Sequence, residues 1–251
     1  MQPEQYPLMR AEEERHWWYR GNRSVVRALL GRFAPRGARL RLDAGCGTGK
    51  NLDAFAGFGA SVGIDCDGAA VRFSRERGCP RVARASVTAL PFADASFDVV
   101  TCFEVLNSDS IADWQAVLRE LSRVLRPDGV LVLREPAFMA LFGSHDVVVH
   151  TARRFRRRPL RAAVSAAGLC VERCSYQNTV TFFPALAIRS FQRFRGLQGR
   201  THVADFAKGD TVLGPLLAAW LRFEGWWLAR ARLPFGSSVL CVARKPRRGP
   251  T

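Results

Sequence analysis

The sequence predicts an α/β fold built on a doubly wound, mostly parallel sheet. Three observations carry this. Short apolar runs suited to strands alternate with stretches of helical spacing, the order that builds such sheets. The first strand-like run, Leu40 to Leu42, ends in Asp43 and opens at once into Gly45, Gly47 and Gly49. Such a turn lets backbone approach a nucleotide-like ligand at a strand's carboxyl end. The runs at Val99–Val100 and Val130 to Leu133 are apolar without alternation, as strands covered on both faces are.

In chain order, residues 1–35 read as an amino-terminal helical lid. Its segment His16-Trp-Trp-Tyr19 places two adjacent tryptophans before the core. They need burial, either against the sheet's rim or over a ligand. The core is expected over 36–178. After the glycine turn, Val62 and Ile64 mark a second strand with Asp65 at its end, 20 residues beyond Gly45. A carboxylate so placed can accept from ribose hydroxyls. It could also cap a helix, though Asp67 suits that role better. Arg81 to Phe92 follows, and then the strand of Val99 and Val100, with Phe103 and Glu104 at its exit. Ile111, Trp114, Val117, Leu118, Leu121, Val124 and Leu125 keep helical spacing. Asp109 or Ser110 is the expected cap, and Pro127-Asp-Gly129 the expected stop. The last two strands are Leu169 to Tyr176 and Ser237 to Arg244.

Between those strands, residues 179–235 form an insertion before the last core strand, 236–245. It holds Phe182, Phe183, Phe191, Phe194, Phe206, Trp220, Phe223, Trp226 and Trp227. At least two amphipathic helices are expected, with Leu216, Trp220, Phe223 and Trp227 on one face. They suit a cap over the site. A dimer face or an interfacial membrane helix would use the same residues, since tryptophan and arginine mix in Trp226 to Arg232. Residues 246–251 are expected to be a disordered tail.

A nicotinamide fingerprint needs a third glycine where Lys50 stands. Asp43-Ala-Gly-Cys-Gly-Thr-Gly49 instead resembles the first motif of the class I S-adenosylmethionine (SAM) dependent methyltransferases. The Asp65, Leu90-Pro-Phe92 and Phe97-Asp98 segments follow in that family's order. The resemblance implies a Rossmann-like, seven-stranded sheet, SAM as cofactor and S-adenosylhomocysteine as product. Asp43, Gly45, Cys46, Gly47 and Gly49 would cradle the cofactor, and Asp65 with Cys66 would meet its ribose. Ser86, where the family often has an acid, and Val87 would border the adenine. Phe103 would border the methyl donor. The His-Trp-Trp-aromatic entry is similar to that of a bacterial branch of the family, which implies that Tyr19, Arg20 and Arg23 approach the methionine carboxylate.

The same branch has a His-Asp, a spaced His and an Arg-Arg-aromatic after the fifth strand, matched here by His145, Asp146, His150 and Arg153-Arg-Phe155. This trio is the sequence-close cluster able to do acid–base work near neutral pH. The other reading is a polar network that fixes the loop, with Asp146 as a helix cap. Two departures bear on function. Asn107 stands where the branch often has histidine, and the Asn/Asp-Pro-Pro-aromatic motif of amino-methylating DNA enzymes is absent.

Of 251 residues, 48% are hydrophobic, enough for one domain with an elaboration. The start lacks a signal-peptide pattern and no apolar run could span a bilayer. Seven scattered cysteines suit reduced thiols in the cytoplasm. Cys170 and Cys174 read as core residues, and no metal site is expected. The net charge is +16, yet only three of 38 basic residues are lysine. A GC-rich genome or an anionic partner each accounts for that. The densest cluster is Arg153 to Arg161, without the interleaved aromatics of nucleic-acid platforms. The expectation is a bacterial biosynthetic methyltransferase, monomer or homodimer, acting on a small, partly apolar or anionic metabolite rather than nucleic acid. The alternatives are a lipid, polyprenyl or quinone acceptor at a membrane surface, and a SAM-binding protein that does not methylate.

Overall fold

The computed structural model describes residues 5–195 and 212–247. Phe206 and residues 248–251 of the expected tail lie outside the described residues. Seven strands form one sheet: β1 (Leu40–Ala44), β2 (Ala60–Asp65), β3 (Val82–Arg84), β4 (Phe97–Phe103), β5 (Leu125–Pro136), β6 (Cys170–Gln177) and β7 (Ser238–Arg244). Their order is β3-β2-β1-β4-β5-β7-β6. The first five are parallel to their neighbours, and β7 runs antiparallel between β5 and β6. The chain moves outward from β1 to β3 and then returns to place β4 beside β1. That reversal opens a crevice at the carboxyl ends of β1 and β4, where doubly wound sheets bind ligands.

The helices are α1 (Gln5–Arg15), α2 (Trp17–Phe33), α3 (Lys50–Ala54), α4 (Gly68–Glu76), α5 (Trp114–Val124), α6 (Ser144–Val148), α7 (Arg157–Ala166), α8 (Thr179–Phe194) and α9 (Gly214–Leu228). Neighbouring strand residues point to opposite faces, so the apolar runs feed two cores. Val100 and Leu131 pack with Val117, Leu118 and Leu121 of α5 and Leu160 of α7. Val99, Val130 and Val132 pack with Val25 and Leu29 of α2 and with Leu221 and Leu228 of α9. Each such side chain contributes about 1.5–3 kcal/mol by burial.

Three local expectations are corrected. The cap of α5 is Asp113, whose carboxylate accepts from the Ala116 amide at 2.8 Å. Asp109 and Ser110 lie in the preceding turn, where Ser110 N donates to Ser108 Oγ at 3.3 Å. Pro127-Asp-Gly129 does not separate helix from strand but lies inside β5, which begins at Leu125. The Lys245 ammonium closes α5 instead, donating to the carbonyls of Ser122, Arg123 and Leu125. Cys174 is buried as expected, but Cys170 is exposed.

The largest correction concerns α9. Leu216, Trp220, Phe223 and Trp227 face solvent. The buried face is the opposite one, with Leu221, Glu224, Gly225 and Leu228. Small residues decide this. A side chain at Gly225 would begin 2.9 Å from the Val25 Cα, and one at Gly21 would begin 2.7 Å from the Leu221 Cβ. These two glycines let α2 and α9 approach closely, so α9 lies along α2 rather than standing as a cap. No helix among the described residues is long and apolar enough to cross a membrane.

Candidate active site

Asp43, one residue before the end of β1, is buried. Its Oδ1 accepts from Thr101 Oγ1 at 2.7 Å, and its Oδ2 has no partner among the described residues. Burial raises its pKa, opposed first by the neighbouring Arg41. The chain then turns at Gly45 (φ 85°), where a Cβ would sit 2.3 Å from Val105 Cγ2. The amides of Gly45 and Cys46 both donate to Ile64 O at 2.9 Å, tying the turn to β2. Asp65, at the end of β2, accepts from Gly47 N (2.9 Å, Oδ2) and Asp67 N (3.0 Å, Oδ1). Each oxygen keeps a lone pair. Asp67 caps α4 by accepting from Ala69 N at 2.8 Å, which leaves Asp65 free of that duty. The Cys46 thiol is buried under the loop near Ser74, so it can serve a ligand only through its backbone, whereas Cys66 is exposed beside Asp65. Val87 packs into the core, and exposed Ser86 shares its hydroxyl with Thr88 at 2.7 Å.

The amino-terminal segment approaches the same crevice. Trp17 joins the core. Trp18 lies 5.3 Å from the Arg134 guanidinium, which also covers Phe103 at 5.2 Å and pairs with Glu104 at 3.2 Å. Tyr19 packs edge-on to Trp18 at 5.0 Å. Burial and then the Glu104 carboxylate push its phenol up, which puts it beside the β4 exit. Arg23 donates to the Glu13 carbonyl, and with Arg20 it lines a cavity between α2 and α9.

Sequence reading expected a helical lid over residues 1–35 but missed what α1 holds. Glu13 is buried, accepts from Thr48 Oγ1 in the glycine loop and pairs with Arg77 at 3.0 Å. Lys50 and Arg77 both pair with Glu14. Tyr6 is buried against Phe73, with its hydroxyl beside Asp67 and Asp65. The helix therefore lies across the loop and the end of β2. The only sequence signal was the acidic run Glu12–Glu14 ahead of a basic chain.

The expected acid–base trio does not assemble as a unit. Asp146 is buried and takes both arms of Arg154, at 2.9 Å each, plus the Gly143 amide at 2.8 Å. It caps α6 and fixes the loop, so it does not hold His145, which is exposed. His150, with φ 58°, sets Nδ1 3.4 Å from Asp109 Oδ2, and its carbonyl accepts from Asp109 N at 2.9 Å. That pair joins the segment after α6 to the loop after β4, whose Asn107 donates to Thr151 Oγ1 at 3.0 Å and leaves a buried Oδ1 with no partner among the described residues. The loop is shaped by Glu135, which reasoning from sequence passed over. Its fully buried carboxyl accepts from the amides of Val105 (3.2 Å), Leu106 (3.0 Å) and Asn107 (3.2 Å). The arginine cluster is divided: Arg153 and Arg154 brace these loops, while Arg157, Arg158 and Arg161 line a cavity of about 250 Å³ with Arg232.

Residues 42–133 match the family model described as a methyltransferase domain. Residues 42–133 thus carry a methyltransferase domain. A Mycolicibacterium smegmatis protein named probable S-adenosylmethionine-dependent methyltransferase is 35% identical over 153 residues, 60% of this chain and 56% of that one. The chain thus spans just over half the length of the curated relatives it matches first. A malonyl-[acyl-carrier protein] O-methyltransferase of Enterobacter lignolyticus is 29% identical over 79% of this chain and 81% of its own. In fold, a SAM-dependent methyltransferase of Thermotoga maritima covers 96% of this chain and 97% of its own at TM-score 0.59 and 17% identity.

SAM is the cofactor of such a methyltransferase domain, and the residues present fit it. Asp43 Oδ2 has no partner among the described residues, and Asp65 offers a lone pair on each oxygen. At the carboxyl edge of the sheet, Phe138 follows β5, one strand over from Phe103. It stacks on Tyr176 at 4.7 Å and meets Phe182 of α8 at 5.6 Å, which in turn packs on Phe235 at 5.4 Å. Here the insertion does reach the carboxyl edge of the sheet.

Proposed function

We propose that this protein transfers a methyl group from SAM to an O, N or C nucleophile of a small, partly apolar metabolite in bacterial biosynthesis. The observation behind the acceptor class is the aromatic wall of Phe138, Tyr176, Phe182 and Phe235 at the sheet's carboxyl edge. SAM supplies an electrophilic sulfonium methyl. The nucleophile bonds to that carbon as the carbon–sulfur bond breaks, and S-adenosylhomocysteine leaves. Positioning and exclusion of water supply much of the rate. Tyr19, Trp18 and the Arg134–Glu104 pair close the β4 side of the crevice. Where the nucleophile carries a proton, His150, oriented by Asp109, is the base.

The test is formation of S-adenosylhomocysteine by the purified protein with SAM and fractionated bacterial extract, with active fractions then resolved to a single acceptor. No product with any fraction would end the proposal. His150→Ala should lower turnover by about 10²–10⁴ while SAM affinity stays put. His145→Ala should leave turnover near normal. A lipid, polyprenyl or quinone acceptor is the second reading, favoured by the outward aromatic face of α9.

A further inference from the structure

Trp220, Phe223, Trp226 and Trp227 form a continuous strip on α9, each between 39% and 49% exposed. The rings pack on one another, with Phe223 5.8 Å from Trp226 and 6.2 Å from Trp227. Large aromatics left this open on a soluble surface mark an interaction site. Arg222, at the edge of the strip nearest α2, joins Arg20, Arg23 and Arg27 around a cavity of about 500 Å³. No carboxylate lines that cavity. Among the described residues Arg20 and Arg222 form no ion pair, and Arg27 is engaged only by the Ala54 carbonyl. Arg230 stacks on Trp226 at 4.5 Å, adding a further positive charge.

We propose that this aromatic strip and the arginine cavity beside it dock the protein on an anionic lipid bilayer, with lipid phosphates received by Arg20, Arg27 and Arg222. Charge decides the occupant. A second copy meeting this face across a two-fold axis would bring arginines toward arginines. The one acid of α9, Glu224, cannot relieve that, because it is buried and accepts from the amides of Asn178 and Thr179 at 2.8 Å each. An anionic bilayer satisfies both halves of the surface: tryptophan prefers the headgroup level and arginine pairs with phosphate. At 15 residues α9 is too short to cross a membrane and would lie in its plane. This inference does not rest on the acceptor proposed above, because docking is read without methyl transfer.

The experiment is co-sedimentation of the full chain with vesicles of phosphatidylcholine alone or mixed with phosphatidylglycerol, followed also by tryptophan emission. Binding should require phosphatidylglycerol, weaken with salt and shift the emission to the blue. Trp226→Ala/Trp227→Ala should lose the shift while keeping the melting temperature, since both rings are exposed. Arg20→Gln and Arg222→Gln should each weaken binding about fivefold, whereas Arg119→Gln on the distant α5 should not. The proposal fails if anionic vesicles do not bind, or if the α9 and α5 variants behave alike. It also fails if inorganic phosphate alone binds the cavity without vesicle attachment, or if the tryptophan variant instead dissolves a dimer.

Discussion

Asp65 is held by two backbone amides, one from the glycine loop and one from the start of α4, so its carboxylate is aimed before any ligand arrives. Asp65→Ala should therefore weaken S-adenosylhomocysteine about ten- to a hundredfold, the value of charge-assisted hydrogen bonds to a diol. Calorimetric titration checks this, and unchanged affinity would remove Asp65 from the site. Glu135 makes a different prediction. Burial pushes its carboxyl from 4.5 to about 8 against its three amide donors. Between those values the folded protein holds a proton that the unfolded chain has released. Its contribution to stability is thus greatest below about 4.5 and is lost as pH rises toward about 8. Burial pushes Asp43, Asp65 and Glu13 the same way. In urea unfolding between about pH 5 and pH 8, stability should change less steeply downward with rising pH in Glu135→Gln, though weaker, than in the parent protein. An identical slope in the variant would mean that Glu135 is ionised throughout.

At the scale of elements, the strands were legible because each is a run of apolar residues covered on both faces, and Asp67 was legible because its cap is local. What failed was non-local. α9 is apolar all round, so periodicity finds a stripe without saying which stripe is buried, and the deciding contacts join Gly225 to Val25 and Leu221 to Gly21. The contacts of α1 went unread because its partners, Thr48, Lys50 and Arg77, lie at least 35 residues away in sequence. The trio at 145–150 was sequence-close, yet Asp146 is taken by Arg154 and His150 by Asp109. The helix pairing is testable by coupling. Gly21→Ala forces a Cβ onto Leu221 and should cost about 1–3 kcal/mol as overpacking. Leu221→Ala should cost about 2–5 kcal/mol as a cavity. The double variant should lose less than the sum, since removing Leu221 Cγ and Cδ1 relieves part of the clash and the new Cβ fills part of the cavity. Strict additivity in unfolding free energies would mean that the helices do not meet there.

For the whole molecule, the net charge of +16 gave no address for its arginines. Several are internal braces: Arg41 donates to the Asn51 and Leu52 carbonyls, Arg154 holds Asp146, and Arg244 ties Glu172 to the Phe33 and Asp128 carbonyls. Others are left outward around α2 and α9. The cofactor crevice is assembled from β1, β2, β4 and the amino-terminal helices, so a ligand there binds only the folded chain. Linkage then requires that S-adenosylhomocysteine at a hundred times its dissociation constant stabilise the protein by about 2.7 kcal/mol. For a chain of this size that is a rise in melting temperature of about 5–10 °C. The shift should grow with the logarithm of ligand concentration. In Asp65→Ala the same concentration should give a much smaller rise, because the site is further from saturation. NADH, which lacks its third glycine here, should give none. A comparable rise with NADH, or none with S-adenosylhomocysteine, would mean that the Gly45–Gly49 loop cradles a different nucleotide.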